Sequence, residues 1–423
     1  MIRFGPAGIP LSCKGRTLRD GISDVHHLGL TAMEVQFIKV NPFTRGIYDE
    51  EVGKRPMDIP GQLIVEVGPP AKGDVYSDAA ALQAPLDRRA QVTTLNWFLA
   101  KDYGDLTQAK NLARSVDVRL TLHAPYYVNL VGSPEARERS LRQFQWSCAL
   151  AMGLGADAVV GHLGFYASED REGAVRRVVE EVRRLRQWMD GLDRGRILLA
   201  LEPSGHPEVI GTPEEILGIA RAVRRVRPVL NMAHVAARAG KPFETREEVQ
   251  RVVEEFLTAS HGDLYLNFAG VETYGPGEFR LTPIKRGRMH FDHVAEVLAD
   301  RDYDATVISS SPLLEHDAMY MKLLYERALS KRFARRHAPP VPKPAPGPSR
   351  SPPPAPRKAP AHPAPRRPQS PAKSTRLPRS QGAHIKGSHV PRGRRPPRPV
   401  RPRGNRKAHD RPRRATPHGH RKR

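Results

Sequence analysis

The sequence predicts one α/β barrel built from eight strand–helix units, a (β/α)8 barrel. Short runs rich in Val, Ile and Leu alternate with longer amphipathic segments, which is typical of buried parallel strands joined by crossover helices. The ends of the predicted strands recur every ~30–45 residues, the length of one such unit. The 337 residues that precede a basic C-terminal segment are a normal length for a barrel of this class.

The first units carry a long insertion. Ile2–Ile9 and Met33–Ile38 are the first two predicted strands, and Thr17–Leu28 is the amphipathic helix between them. The segment from about residue 41 to 89 is irregular and long for a barrel loop, and we interpret it as a peripheral insertion after the second strand. Trp97–Val116 predicts the next helix.

Three consecutive predicted strands then end in a side chain that can bind a metal ion. His123, His162 and Glu202 each follow directly on a short apolar run. Because barrel strands present their carboxyl ends at one rim, we expect these side chains to converge. Two imidazoles and one carboxylate would make a three-ligand zinc site with an open coordination position. A hydrogen-bonded polar layer without a metal is the alternative interpretation.

The rest of the chain repeats the strand–helix unit. An N-cap residue followed by a proline or an acid in the first turn marks helix starts at Ser133, Thr212 and Thr245. Three further apolar runs predict strands, and one more amphipathic segment predicts a closing helix. These elements are Pro228–Asn231, Leu264–Asn267, Ala305–Ser310 and Leu313–Phe333.

Composition separates the C-terminal residues from the rest of the chain. Residues 338–423 contain 24 Lys and Arg against one acid, Asp410, so they carry +23 of the net charge of +24. They also contain 23 of the 41 prolines and no Phe, Trp or Tyr. Such a segment cannot bury enough apolar surface to offset its ordering entropy. We therefore predict a barrel over residues 1–333 and a disordered Pro/Arg-rich tail over residues 334–423.

The charge of this tail predicts a polyanionic partner. A segment of +23 binds phosphate backbones by releasing condensed counterions, which favours DNA and, as an alternative, RNA. The tail has no interleaved aromatic residues, so base stacking is not expected there. A solubilising tail, and a tail that associates with ribosomes or an anionic membrane surface, are the other interpretations.

The sequence contains few signals of compartment. Cys13 and Cys148 are the only cysteines, and they have no zinc-site spacing and imply no disulfide framework. The first residues do not resemble a signal peptide, and no apolar run approaches the ~20 residues of a membrane helix. We predict a soluble, cytoplasmic protein, and its oligomeric state stays open.

The strand ends resemble the endonuclease IV family of abasic-site DNA endonucleases, within the xylose-isomerase-like TIM-barrel superfamily. The resemblance covers roughly residues 1–333 apart from the insertion. Its most specific part is Leu120–Leu130, which is similar to the family's third-strand motif. Gly161–Gly164, Leu201–Gly205 and Asn231–His234 resemble the fourth-, fifth- and sixth-strand motifs.

The resemblance implies a three-zinc site that cleaves the phosphodiester 5′ to an abasic nucleotide. His123, His162 and Glu202 match the ligands of one zinc ion, and Glu202 would also bridge to a second ion. The resemblance further implies that the barrel mouth binds DNA.

The sequence departs from this pattern at the other two zinc ions. Asn231, Asn267 and Ser310 stand where the family has the remaining ligands of the second zinc, an Asp, a His and a Glu. Only His234 matches for the third zinc, because the stretch Gly277–Leu281 lacks the expected His.

These departures predict one zinc ion rather than three. Three zinc ions bring six positive charges, whereas the matched positions supply a single carboxylate, Glu202, and burying so much uncompensated charge is very costly. Neutral amide and hydroxyl oxygens are poor substitutes for carboxylates on zinc. Glu202 and His234 are the predicted catalytic residues. Glu272, Glu278 and Glu315 are the carboxylates that could replace missing ligands.

Three hypotheses of function follow. The first is an endonuclease IV-like DNA-repair hydrolase that acts at apurinic/apyrimidinic sites with a reduced zinc site, and whose tail concentrates it on DNA. The second is a nucleic-acid-binding barrel that has lost catalysis. The third is a sugar or sugar-phosphate isomerase or epimerase, which the near-neutral charge of residues 1–337 favours.

Overall fold

The computed structural model describes residues 1–38, 41–68, 76–166, 170–301 and 303–337. Among these residues, the strands are β1 (Ile2–Pro6), β2 (Ala32–Gln36), β3 (Pro42–Gly46), β4 (Ile64–Val67), β5 (Gln91–Leu95), β6 (Arg119–His123), β7 (Ala158–Gly161), β8 (Leu198–Leu201), β9 (Val226–Asn231), β10 (Asp263–Phe268), β11 (Gly270–Thr273), β12 (Glu278–Thr282) and β13 (Asp304–Ser309). The α-helices are α1 (Leu18–His27), α2 (Tyr103–Ser115), α3 (Pro134–Leu154), α4 (Arg171–Asp193), α5 (Pro213–Ala222), α6 (Met232–Ala239), α7 (Arg246–Ala259), α8 (Phe291–Asp300) and α9 (Glu315–His337).

Eight parallel strands form a barrel in the order β1–β13–β10–β9–β8–β7–β6–β2. The two end strands of this order lie beside each other, and the N–H of Thr31 donates to the carbonyl of Phe4 (3.0 Å). Gly5 permits this approach, because a Cβ there would lie 1.7 Å from the carbonyl oxygen of Ala32. The predicted (β/α)8 barrel is confirmed.

Two pairs of strands are aligned at their carboxyl ends. Gln36 pairs with His123, and Asn231 pairs with Asn267. Small and β-branched side chains and one tyrosine fill the barrel interior, while a larger apolar cluster fills the space between the sheet and the helices. The interior residues are Ala32, Ala158, Val160, Ala200, Val229, Tyr265 and Ile308.

The insertion forms a three-stranded antiparallel sheet in the order β3–β5–β4. It extends six residues beyond the predicted end at residue 89, because β5 pairs with both β3 and β4. Two long side chains anchor it to the outer helices: the Tyr103 hydroxyl donates to the carbonyl of Ile64 (3.0 Å), and the Trp146 indole donates to Glu66 (3.1 Å). The insertion therefore packs on the side of the barrel.

The predicted N-caps of three helices are confirmed. Ser133, Thr212 and Thr245 each accept a hydrogen bond from a backbone N–H in the first turn of α3, α5 and α7. The short helix α6 and the β11–β12 hairpin have no counterpart among the predicted elements. Both of them contribute a side chain to the site described below.

The chain divides into two units, Met1–Lys343 and Pro344–Arg423, and the second lies wholly outside the described residues. The prediction of a disordered tail therefore concerns residues that the structure does not describe, apart from residues 334–337, which belong to α9. No described helix is both long enough and apolar enough to cross a membrane.

Candidate metal centre

The structure brings together the three predicted metal ligands at the carboxyl ends of neighbouring strands. His123 ends β6, while His162 and Glu202 directly follow β7 and β8. Their ligand atoms lie within 4.8 Å of one another. Oε2 of Glu202 is 3.0 Å from Nε2 of His123 and 3.6 Å from Nε2 of His162. Ligands about 2.1 Å from a tetrahedral zinc are about 3.4 Å apart, so these spacings fit one ion.

The protonation of His123 supports this fit. Its Nδ1 lies 2.7 Å from the carbonyl oxygen of Ala124, so Nδ1 carries a proton and Nε2 faces the carboxylate of Glu202. Burial alone would lower the pKa of His123, but the hydrogen bond to Glu202 and the charges of Glu34 and Glu202 raise it to about 9. Either a proton or a metal ion must therefore lie between Nε2 and Glu202.

The other two ligands already have the protonation state that binds a metal. Burial lowers the pKa of His162 to about 4, so its ring is neutral near pH 7. Burial works to raise the pKa of Glu202, but its hydrogen bond with His123 and the nearby His234 hold that pKa well below the ordinary range. A neutral imidazole and an ionised carboxylate are the forms in which these side chains bind zinc, so two of the three predicted ligands need not lose a proton.

Two amides support Glu202. Asn231 donates from Nδ2 to Oε1 of Glu202 (2.6 Å), and Asn267 donates from Nδ2 to the same oxygen (3.2 Å). Asn231 also caps α6, because its Oδ1 accepts the backbone N–H of His234 (3.1 Å). Residues predicted to be neutral replacements of lost ligands therefore hold the remaining carboxylate in place.

Ser310, the third of these replaced positions, also faces the site. It lines the same pocket as Asn267, and its buried Oγ has no hydrogen-bond partner among the described residues. The Oδ1 atom of Asn267 is likewise buried and unpaired within that part of the chain. Two polar atoms are thus available to a bound molecule.

A histidine–carboxylate pair lies next to the three ligands. His234 on α6 places Nδ1 2.5 Å from Oε2 of Glu278 on β12, and its Nε2 is 3.9 Å from Oε1 of Glu202. Burial lowers the pKa of His234, but the hydrogen bond and the charge of Glu278 raise it by more. The pair orients the ring so that Nε2 points towards Glu202.

Only one of the three candidate substitute carboxylates reaches the site. Glu278 does so through the β11–β12 hairpin. Glu272 instead pairs with Arg280 on the exposed part of that hairpin (2.8 Å). Glu315 accepts two backbone N–H groups from the loop after β1 (2.8 and 3.0 Å).

The three predicted ligands and the His234–Glu278 pair line a cavity of about 560 Å³ at the carboxyl end of the barrel. Its lining contains four carboxylates and four imidazoles, and among the described residues no Lys or Arg contributes to it. These side chains are Glu34, Glu202, Glu208, Glu278, His123, His162, His206 and His234.

Aromatic residues form the rim of this cavity. The ring of Tyr126 stacks on His123 with centroids 4.5 Å apart, and its hydroxyl donates to Oε1 of Gln36 (2.9 Å). Tyr127 is 83% exposed and Phe165 is 45% exposed, although both lie at the mouth of the barrel. Exposed aromatic surface beside a polar cavity is typical of a binding site.

A second cavity, of about 620 Å³, lies at the opposite end of the barrel. Its walls include paired charges, such as Arg3 with Asp117 (2.9 Å) and Arg119 with Asp263 (3.2 Å). These residues lie at the amino ends of the strands, where barrels place stabilising rather than catalytic groups.

Glu34 also lines the cavity at the carboxyl end of the barrel, and it is not among the site residues predicted from the sequence. This carboxylate lies in β2 and is 1% exposed, and it accepts hydrogen bonds from Tyr265 (2.8 Å) and Gln36 (2.9 Å). The feature of the sequence that could have indicated this residue is an acid inside the apolar run 32–35. An acid there must be buried in a barrel strand, so it needs hydrogen-bond partners.

Residues 86–317 match the model of the xylose isomerase-like TIM barrel family. The chain belongs to this family. Within xylose isomerase-like barrels, it is similar to the uncharacterized protein MJ0133 of Methanocaldococcus jannaschii, with 22% identity over 330 residues, which cover 77% of this chain and 97% of that protein.

Solved structures similar to this xylose isomerase-like barrel include an endonuclease and an epimerase. Endonuclease IV from Thermus thermophilus has a TM-score of 0.47 and 16% identity, covering 78% of this chain and 99% of that chain. An L-ribulose 3-epimerase has a TM-score of 0.47 and 13% identity, covering 80% and 100%.

Proposed function

We propose that this barrel is an enzyme with one metal ion, held by His123, His162 and Glu202, and that it isomerises or epimerises an uncharged sugar. The observation that carries this proposal is the charge of the cavity, whose described lining has four carboxylates and no Lys or Arg. A divalent ion balances two of these carboxylates and leaves no excess positive charge for a phosphate.

The size of this effect is large enough to select the substrate. Two unit charges of like sign 4 Å apart repel by about 4 kcal/mol at an effective dielectric constant of about 20. That repulsion corresponds to roughly a thousandfold in binding, since about 1.4 kcal/mol is a factor of ten. A neutral polyhydroxylated molecule avoids this repulsion.

Unpaired polar atoms in the cavity suit a sugar. Oγ of Ser310 and Oδ1 of Asn267 are buried and lack partners among the described residues, so each can hydrogen-bond a substrate hydroxyl. The exposed rings of Tyr127 and Phe165 can cover the apolar face of a sugar ring. The cavity thus offers both kinds of contact that a sugar makes.

The residues of the site have distinct chemical roles in this proposal. When bound, the metal ion supplies polarisation of the substrate oxygens. Nε2 of His234 accepts a proton from the carbon beside the carbonyl group and returns it to the neighbouring carbon, while the hydroxyl proton moves to the former carbonyl oxygen, which isomerises the sugar. Epimerisation requires in addition a proton donor on the opposite face of the same carbon. Glu278 holds the His234 ring through Nδ1, and Asn231 and Asn267 hold Glu202.

An abasic-site endonuclease is the second candidate. It is favoured by the resemblance at His123, His162, Glu202 and His234 and by the +23 charge of residues 338–423, which could bring the barrel to DNA. In this candidate, the tail would have to supply the positive charge that the cavity lining lacks. The charge of the tail equally supports a nucleic-acid-binding barrel without catalysis, but that function gives the candidate metal centre no role.

Solvent hydrogen exchange separates these functions. Metal-loaded full-length protein is incubated in D2O with neutral pentoses and hexoses and with their phosphates, and deuterium at the carbon beside the carbonyl group is measured by NMR. We expect deuterium in a neutral sugar and its loss in His234→Asn. Incision of an abasic DNA duplex, with no exchange in any sugar, would overturn the proposal in favour of the endonuclease.

A further inference from the structure

Glu34 is a buried carboxylate to which the proposed function assigns no chemical step. It lies on β2, opposite Thr121 of β6, and it lines the cavity. It lies outside the cluster of ligand atoms formed by His123, His162 and Glu202. Burying a carboxylate is costly, so its presence there needs a reason.

Hydrogen bonds connect Glu34 to the surroundings of His123. Gln36 donates from Nε2 to Glu34 (2.9 Å), and its Oε1 accepts the hydroxyl of Tyr126 (2.9 Å). The ring of Tyr126 stacks on His123. This chain of contacts runs from the carboxylate to the face of a predicted metal ligand.

A second set of contacts fixes Glu34 from the other side. The hydroxyl of Tyr265 donates to Oε2 of Glu34 (2.8 Å) and lies 2.7 Å from Oγ1 of Thr121. Three strands therefore hold this carboxylate, β2 directly and β6 and β10 through Thr121 and Tyr265. Burial and the nearby Glu202 raise the pKa of Glu34, whereas His123 and the hydrogen bonds from Tyr265 and Gln36 work to lower that pKa, as a bound cation would.

We propose that Glu34 is a positioning residue of the metal centre, whose negative charge stabilises the bound cation while the Gln36–Tyr126 contacts fix the ring of His123. The inference rests on the metal ion of the proposed function, but not on the reaction. Partners behind the ligands of a metal site commonly change metal affinity by 10–100-fold.

Glu34→Gln tests this role because it removes the charge and keeps the size of the side chain. The matched control is Glu66→Gln, which removes another buried carboxylate, one that accepts the Trp146 indole in the insertion. Zn²⁺ dissociation constants are measured on full-length proteins by competition with a chelator. Co²⁺ absorption spectra of the same proteins report the geometry at the ion.

We expect Glu34→Gln to weaken Zn²⁺ binding by roughly 10–100-fold and to change the Co²⁺ spectrum. Glu66→Gln should leave both unchanged. A Zn²⁺ affinity of Glu34→Gln equal to that of the wild type would overturn the inference. If Glu34→Gln does not fold, Tyr126→Phe is the test variant, because it removes the hydrogen bond to Gln36 and keeps the ring. An unchanged Zn²⁺ affinity of Tyr126→Phe would overturn the link to His123.

The outcome is distinguishable from a failure of the proposed function. Absence of sugar exchange with normal Zn²⁺ binding would remove the reaction and leave this inference standing. Absence of Zn²⁺ binding in the wild type would remove both.

Discussion

Glu202 is the residue on which the site is built. One of its oxygens faces the imidazoles of His123 and His162, and the other accepts hydrogen bonds from Asn231 and Asn267. A carboxylate in this setting stays ionised although it is 2% exposed, because His123, Asn231 and Asn267 hydrogen-bond to it. Asn231 and Asn267 therefore fix the orientation of this carboxylate.

The protonation of His123 predicts a pH dependence of metal binding. Its pKa is raised to about 9 in the metal-free protein, so a metal ion must displace a proton from Nε2 below that pH. We expect Zn²⁺ affinity to rise about tenfold per pH unit from pH 7 to about 9 and then to level off. Calorimetry in buffers of different ionisation enthalpy should show release of about one proton per ion near pH 7.5.

His123 also predicts how the stability of the metal-free fold changes with pH. The folded pKa of about 9 lies above the ordinary value of 6.5, so the His123–Glu202 pair stabilises the fold fully below pH 6.5. This stabilisation is lost as the pH rises towards 9. A Tm in chelator that stays constant from pH 6.5 to 9 would contradict this assignment.

At the level of elements, the β11–β12 hairpin completes the site from outside the barrel sheet. It carries Glu278 to His234, while the backbone N–H of Glu278 donates to the carbonyl of Gly205 in the loop after β8 (3.0 Å). Gly205 leaves room for this contact, since a Cβ there would lie 2.5 Å from Oε2 of Glu278 and 3.3 Å from Nδ1 of His234.

Gly205→Ala should therefore disturb the His234–Glu278 pair and leave the predicted metal ligands intact. We expect the added methyl group to displace Glu278 and to lower kcat by roughly 100-fold, the lower end of what general acid–base catalysis contributes, while metal content stays unchanged. Gly218→Ala in α5 is the matched control, because a Cβ there meets nothing within 4 Å. Equal kcat values for the two variants would show that the pair is not catalytic.

Which elements could be predicted depends on how local their signal is. His123, His162 and Glu202 could be located because each ends an apolar run of a strand, and the barrel geometry then brings them together. Glu278 could not be assigned, because its contact with His234 spans 44 residues and depends on how the hairpin folds back. Glu34 was missed because a buried acid inside a strand breaks the apolar pattern.

For the whole molecule, charge is divided between barrel and tail. Residues 338–423 carry +23, and the remaining 337 residues carry +1. A near-neutral barrel with a carboxylate-rich cavity suits a neutral substrate, whereas the tail suits a polyanion. The two parts thus predict separate binding partners.

Truncation after Lys343, the boundary of the first unit, tests this division. We expect the truncated protein to keep its metal ion and its exchange activity on a neutral sugar. Binding to nucleic acid should fall by orders of magnitude at low salt, and the salt dependence of any residual binding should flatten. Fluorescence anisotropy with labelled single- and double-stranded DNA and RNA measures the change. Loss of sugar exchange on truncation would contradict the separation of roles.

The number of metal ions per chain tests the central claim most directly. Elemental analysis of the purified full-length protein, compared with His123→Asn, counts the ions that depend on this site. We predict one ion per chain in the wild type and its loss in the variant. Three ions that depend on His123, or none, would contradict the account.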